Sequence, residues 1–271
     1  MRYILLASAM VAVFSCRRGN DPKPTPTPNP DVIRLKDVNI AHLPNPYYHF
    51  VYDNHGTITA ASFSDSIAFY DVLYNDNKKI SKMVNKSLAN NDVLRYEYDN
   101  DDVSVITITN KEGVTYARGF FDYSYTHQLT SVEWELKVDV GFMPERRLDL
   151  SYTPDSNLKD IVTHIYALGS QTAFTFTTTY SSYDDKKNVD GFSLLHPDQF
   201  HHLYLLPGVK IQLNNPRREV RTGEGNNYEV DYTYTYDAKG RPAIRNGDFQ
   251  WTNGSDAGKH TQLHSDYAYY D

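Results

Sequence analysis

The chain has 271 residues, of which 40% are hydrophobic and 23% charged, with a formal net charge of −7 and one cysteine. That length suits one large domain or two small ones and is enough to bury a core without staples. The mildly acidic balance, with both signs interspersed, disfavours electrostatic binding to nucleic acid or to an anionic membrane, so no nucleic-acid partner is expected.

Met1-Arg2 opens the chain, an apolar run fills residues 3–14, and Ser15-Cys16 follows. A positive start, a short apolar stretch and small residues before a cut form the pattern of a secretory signal. The run is too short for a membrane span, and no later stretch approaches the ~20 apolar residues a spanning helix needs. Val13-Phe14-Ser15-Cys16 resembles a bacterial lipobox, which implies a signal peptide over residues 1–15 and lipidation of Cys16. A lipidated Cys16 leaves no thiol for a disulfide. Residues 17–30 read RRGNDPKPTPTPNP. Alternating Thr-Pro lacks backbone donors and favours extended polyproline geometry, so residues 16–30 are expected to form a lipidated, semi-rigid tether. A single domain over 31–271 follows.

Along that domain the apolar period is two. Val132, Trp134, Leu136, Val138 and Val140 alternate with Glu133, Glu135, Lys137 and Asp139, and Tyr228, Val230, Tyr232, Tyr234 and Tyr236 alternate with Glu229, Asp231, Thr233 and Thr235. Leu148, Leu150 and Tyr152 behave alike, as do Phe174 and Phe176 against threonines. This is the mark of antiparallel strands with one dry and one wet face. Turn clusters recur between them, most with a tyrosine at the end of the preceding strand: Tyr52-Asp53-Asn54-His55-Gly56, Tyr74-Asn75-Asp76-Asn77-Lys78, Tyr98-Asp99-Asn100, Tyr125-Thr126-His127-Gln128, Tyr152-Thr153-Pro154-Asp155, Tyr183-Asp184-Asp185 and Tyr236-Asp237-Ala238-Lys239-Gly240. Asp, Asn and Gly supply the positive φ and local side-chain bonds that tight hairpins need. A hairpin cannot bury its own face alone, so the units are expected to chain into an all-β, up-and-down antiparallel meander of roughly sixteen strands, curled or closed into a barrel-like sheet.

Two segments break the pattern. Residues 64–72 fit a strand or a short helix. Residues 194–206, LLHPDQFHHLYLL, predict one short helix that caps or plugs the sheet, with Pro197 and Asp198 at its start and Pro207-Gly208 at its stop.

Asp184-Asp185-Lys186-Lys187-Asn188, followed by Asn214-Asn215 and then by the run from Tyr232 through Tyr236-Asp237-Ala238-Lys239-Gly240 to Arg241-Pro242, resembles in order the Bacteroidetes lipoproteins of unknown function with a porin-like fold. That family's pattern has Lys-Asn-Pro-Phe in the first motif, where this chain has Val189-Asp190 after Asn188, and Gly-Tyr-Pro in the last, where Arg241 replaces the tyrosine. The resemblance runs from about Tyr47 onward. It implies a large closed or curled β-meander held at the outer membrane by a lipid anchor, on the cell surface or the periplasmic face, and it implies no activity. The Tyr-Asp-x-x-Gly turns are also similar to the tyrosine-aspartate repeats of large bacterial wrapping toxins, a likeness of hairpin chemistry. Surface-exported lipoproteins of this lineage often carry an acidic run after the lipidated cysteine, and Arg17-Arg18-Gly19-Asn20-Asp21 is not acidic. Asp65-Ser66-Ile67 matches the lineage's short O-glycosylation pattern and makes Ser66 a candidate acceptor.

His196, His201 and His202 lie near Asp198, and Asp198 and His202 would share a helix face as a candidate metal pair. A site needs three or four convergent ligands, and a polar helix face accounts for the same residues. The chain has no G-x-S-x-G, H-E-x-x-H, P-loop or dinucleotide fingerprint. No catalytic residue, cofactor or metal is therefore assigned, and the chain is not expected to be an enzyme. Binding is the better functional expectation. Trp251 and Asn253 in the polar stretch Gln250-Trp251-Thr252-Asn253-Gly254-Ser255, with Tyr232 and Tyr234, are the candidate ligand contacts. Trp134, in the middle of an apolar register, reads as core.

The expected role is a monomeric, lipid-anchored envelope protein that binds a polysaccharide or another envelope component without catalysis. The alternative is a structural or protein-partner lipoprotein with no small ligand, and a third reading is a pore-like barrel. Cys16→Ala is expected to abolish incorporation of labelled palmitate in producing cells. Label retained by the variant would show that Cys16 is not the lipidated residue, and an unlabelled parent would remove the lipid anchor.

Overall fold

The computed structural model describes residues 33–65, 68–87, 91–189, 203–209 and 211–271. Sixteen antiparallel strands follow one another: β1 (Leu35–Ile40), β2 (Tyr48–Tyr52), β3 (Ile58–Phe63), β4 (Ala68–Tyr74), β5 (Ile80–Asn85), β6 (Val93–Asp99), β7 (Asp102–Thr109) and β8 (Thr115–Tyr123). Then come β9 (Leu129–Val138), β10 (Gly141–Tyr152), β11 (Leu158–Ile165), β12 (Phe174–Ser181), β13 (Arg218–Gly223), β14 (Tyr228–Tyr236), β15 (Pro242–Trp251) and β16 (His260–Tyr269). Each strand bonds to its sequence neighbours, and β1 pairs with β16, so the meander closes into a barrel.

The alternation decides which face is dry. Phe50, Tyr70, Met83, Leu94, Ile106 and Trp134 are all fully buried and point into the barrel. The intervening residues point out and form surface ion pairs. Arg118 bonds Glu135, Arg147 lies 2.8 Å from Asp149, and Arg218 lies 2.9 Å from Asp231. Such exposed pairs contribute up to about 1 kcal/mol each. Burial of the inner aromatics and aliphatics at roughly 1.5–3 kcal/mol per side chain is the larger effect. A barrel that faces lipid carries the opposite arrangement, apolar out and polar in. Val140, part of the alternating register in sequence, lies beyond β9 at a turn tip and is 85% exposed.

Residues 64–72 resolve into a turn and β4: Ser64 and Asp65 take positive φ, and the strand begins at Ala68. The expected helix over 194–206 is corrected where it is described. Residues 203–206 are not helical, and a 3-10 turn at Gly254–Asp256 is the one helical element among the described residues. Leu203, Tyr204, Leu205 and Leu206 are all buried, so the segment does plug the barrel, as an irregular strand of chain. Four consecutive buried side chains cannot share one helical face, which is the physical reason the amphipathic reading fails here. The Leu205 amide donates to the Tyr96 hydroxyl at 3.2 Å, and the Tyr204 ring packs 6.1 Å from Trp134.

Six of the hairpin turns share one construction. In residues 53–57 the Gly56 amide donates to the Asp53 carbonyl, the Asp53 amide donates to the Thr57 carbonyl, and the Asp53 carboxylate accepts the His55 and Thr57 amides at 2.8 and 2.9 Å. The same backbone bonds recur from Asn75, Asn110, Ser124, Thr153 and Asp237. The fourth residue takes positive φ each time: Gly56, Lys78, Gly113, His127, Ser156 and Gly240. This is a type I turn closed by a bulge. At one end of the barrel the register shifts at the tyrosine before the turn, as at Tyr52, Tyr74 and Tyr152.

Those tyrosines turn inward and form a hoop. Tyr74 donates to the Ile58 carbonyl at 2.7 Å, Tyr98 to Ile80 at 3.0 Å, Tyr152 to Leu129 at 2.7 Å and Tyr269 to Pro242 at 2.6 Å. Each bond ties the end of one strand to the start of the strand before it. Tyr125, which the sequence pattern puts in this series, is 97% exposed in the turn, and Tyr123 takes the strand-end place.

Burial pushes the Tyr52, Tyr74 and Tyr98 phenols up from 10.0 to about 12. A phenol with a raised folded pKa loses its proton more readily once unfolded. The stability tied to it is therefore intact below pH 10 and disappears as the pH climbs through 12. Urea midpoints are expected to fall steadily over that interval. Tyr152→Phe, which removes one hoop bond, is expected to cost about 1 kcal/mol in urea denaturation, and no change would show that the hoop does not stabilise the barrel.

Candidate functional site

At the barrel end opposite the hoop, the inner face of β12 to β16 is lined by partly exposed aromatics. Phe249 and Val230 are paired across β14 and β15, as are Trp251 and Tyr228, so all four share a face, and Val230 is buried inside. Alternation therefore sends Tyr228, Phe249 and Trp251 inward, each partly exposed. Trp251 meets Phe249 edge-on at 4.7 Å, Tyr228 lies 4.8 Å from Phe249, and Trp251 lies 6.2 Å from Tyr228. Next to this cluster Arg221, paired with Tyr228, lays its guanidinium 3.5 Å over the Phe176 ring, and Phe174 stacks on Phe176 at 6.0 Å.

The backbone makes room for this mouth. Gly223 has φ +124°, and a Cβ there would lie 2.8 Å from the Phe176 backbone. Only glycine accepts both the conformation and the approach. Asn253 fastens the rim: its side-chain oxygen accepts the Asn227 amide at 2.7 Å, and its side-chain nitrogen donates to the Gly225 carbonyl at 2.9 Å. It thereby joins the β13–β14 turn to the β15–β16 loop and holds Trp251 in place.

Tyr232 and Tyr234 lie deeper on the same face. The Tyr232 hydroxyl donates to Glu219 at 2.9 Å and the Tyr228 hydroxyl donates to the other carboxylate oxygen at 2.8 Å. Burial, then the Glu219 charge, holds the Tyr232 phenol well above its ordinary pKa. Tyr234 donates to the Pro216 carbonyl at 3.0 Å and stacks on Tyr236. Gly247 provides the space for this packing, since a Cβ there would be 2.9 Å from Val230 and 3.0 Å from Tyr232.

Of the four ligand contacts read from sequence, Trp251 and Asn253 therefore lie at the mouth, and Tyr232 and Tyr234 sit below it as hydrogen-bonded wall. Trp134 is fully buried, as its register indicates. Phe249 and Arg221 were not singled out. Phe249 could have been found from its spacing of two from Trp251, whereas Arg221 is visible only once the inward register of β13 is known. Cys16, Ser66, Asp198, His201 and His202 lie outside the described residues. Among the described residues no group of three His, Cys, Asp or Glu side chains converges on a metal position.

The motif residues behind the family resemblance lie at the hoop end and staple the neck of the β12–β13 connection. Asp184 accepts the Lys186 amide at 2.9 Å, the Asn215 amide at 3.2 Å and the Tyr236 hydroxyl. Asn214 and Asn157 are joined twice, at 2.9 and 3.0 Å. The buried residues 203–206 hang from that neck.

Solved structures share this architecture. A porin-like protein from Bacteroides uniformis has a TM-score of 0.55 and 15% identity over 88% of this chain and 95% of its own. A porin-like protein from Bacteroides vulgatus gives 0.56 and 13% over 88% of this chain and 99% of its own. At such identities the likeness concerns the fold. A Photorhabdus luminescens Tc holotoxin pore is similar over only 12% of its chain, with a TM-score of 0.32 that carries no weight. No protein-family model matches the chain, and no curated protein sequence does. In form, then, the chain is a closed, all-β barrel with a porin-like fold.

The two tryptophans differ in exposure, Trp134 buried and Trp251 partly open. Trp251→Phe is expected to remove most of the acrylamide-quenchable fluorescence. Equal quenching before and after the change would place Trp251 out of reach of solvent.

Proposed function

We propose that the protein is an exported, lipid-anchored envelope barrel at the outer membrane that binds a glycan or another envelope component at the aromatic mouth, without catalysis. The observation that carries this reading is the partly exposed Tyr228–Phe249–Trp251 cluster beside the Arg221–Phe176 stack on the inner face of the barrel. Aromatic faces stack on apolar faces of sugars, and an oriented guanidinium binds hydroxyls or carboxylates. Anchoring rests on the resemblance of residues 13–16 to a lipobox, and the envelope setting on that resemblance together with the Bacteroides origin of the porin-like neighbours.

A conducting pore is the second reading, favoured by closure of sixteen strands and by those same neighbours. Two surfaces weigh against conduction. The interior is filled mainly by buried apolar side chains together with residues 203–206, and the exterior carries ion pairs where a lipid-facing barrel carries an apolar band.

The test uses the full chain with Cys16→Ala, screened against a broad polysaccharide panel and in planar bilayers. Binding that is lost in Trp251→Ala, with no conductance, is the expected result. Discrete conductance steps would favour the pore. Neither binding nor conductance would favour the structural or protein-partner alternative, to be followed by cross-linking in the envelope.

A further inference from the structure

A second opening lies at the hoop end, apart from the aromatic mouth and independent of it. There the β2–β3 and β4–β5 hairpins and the plug enclose a cavity of about 490 Å³. Its wall is aliphatic, from Ile58, Ile80, Val189, Leu205, Val209 and Ile211. Lys78 also lines it, from the fourth position of its turn, exposed and with φ 61°. Asn188 and Gln212, two polar members of the wall, bond to each other at 3.3 Å. An apolar volume of this size with one cation at its rim has the make-up of a small-molecule site for an amphiphile.

We propose that this cavity binds a long-chain fatty acid, with the alkyl chain against Ile58, Ile80, Leu205 and Val209 and the carboxylate at Lys78. Charge complementarity selects the head group, since the cation beside the apolar wall is a lysine on a positively twisted turn residue. Position agrees. Gly56 lines the cavity, and Arg34 at the start of β1 lies 3.8 Å from where a Cβ on Gly56 would be. The polypeptide that leads back to Cys16 therefore leaves the barrel at this end. A lipid on Cys16, eighteen residues before Arg34, would therefore attach at this end of the barrel and favour its approach to the bilayer, where such acids partition.

The test is fluorescence titration of the full chain carrying Cys16→Ala with 11-(dansylamino)undecanoic acid, followed by displacement with palmitate and with hexadecanol. One saturable site, displaced by both, is expected. Val209→Trp, which fills the cavity, should weaken the probe about tenfold. Lys78→Asn, which tolerates the positive φ and leaves the apolar wall intact, should weaken palmitate about tenfold and leave hexadecanol unchanged. Thermal melts matching the parent establish that each variant is folded. Absence of saturable binding in the folded parent would overturn the proposal, as would a Lys78→Asn variant that binds palmitate like the parent. Binding by the Cys16→Ala chain but not by the lipidated chain would assign the cavity to the protein's own anchor and overturn the fatty-acid reading. None of these outcomes touches Trp251, so the glycan reading stands or falls separately.

Discussion

A ring of sixteen strands is too wide for its own side chains to fill. Eight strands suffice to bring inward side chains into contact, and wider rings leave a lumen. This barrel buries most of its inward side chains, so something besides the strands must occupy it. Tyrosines project far enough to narrow the space, and the chain between β12 and β13 supplies the rest through Leu203, Tyr204, Leu205 and Leu206. Burying backbone in that way demands partners for its polar groups, and the Tyr96 hydroxyl at the Leu205 amide is one of them.

From that need follow the other features. The long connection has to enter the barrel and return, so its neck is stapled by Asp184, Asn214 and Asn215. The turn bulges rotate Tyr52, Tyr74 and Tyr152 inward at the same level, where their hydroxyls find backbone carbonyls of the adjoining strand or their rings cover the plug. The plug lies toward this half, and the opposite end on β12 to β16 stays partly open. The aromatic mouth lies on the part of the inner face farthest from residues 203–206.

Much of the fold was legible from residue order because strand alternation and turn chemistry are local. Asp53, Asn75 and Asp237 announce their turns through side chains that can accept the amides two and four residues on. Closure was not local: nothing near Leu35 shows that its partner is Tyr269, more than two hundred residues away. Tyr125 stands before its turn residues as the other tyrosines do, yet the Ser124 backbone bonds put Tyr123 at the strand end and Tyr125 in the turn. Residues 203–206 read as helix because Leu and Tyr at that density fit one, and tertiary burial on all sides overrode the pattern. At the mouth, Trp251 stood out by its polar neighbours. Phe249, Phe176 and Arg221 looked like ordinary strand residues until pairing brought three strands together.

The seam between β1 and β16 has a bearing on biogenesis. The Tyr270 amide donates to the Arg34 carbonyl at 3.0 Å, so the beginning and end of the domain are zipped side by side. The last strand to leave a ribosome or a translocon is therefore the one that completes the ring. Until it arrives the growing sheet keeps two unpaired edges and an unsealed apolar lining, a state prone to sticking to other chains. The contact that seals the ring is thus the one of greatest sequence separation, and closure of the barrel waits on it.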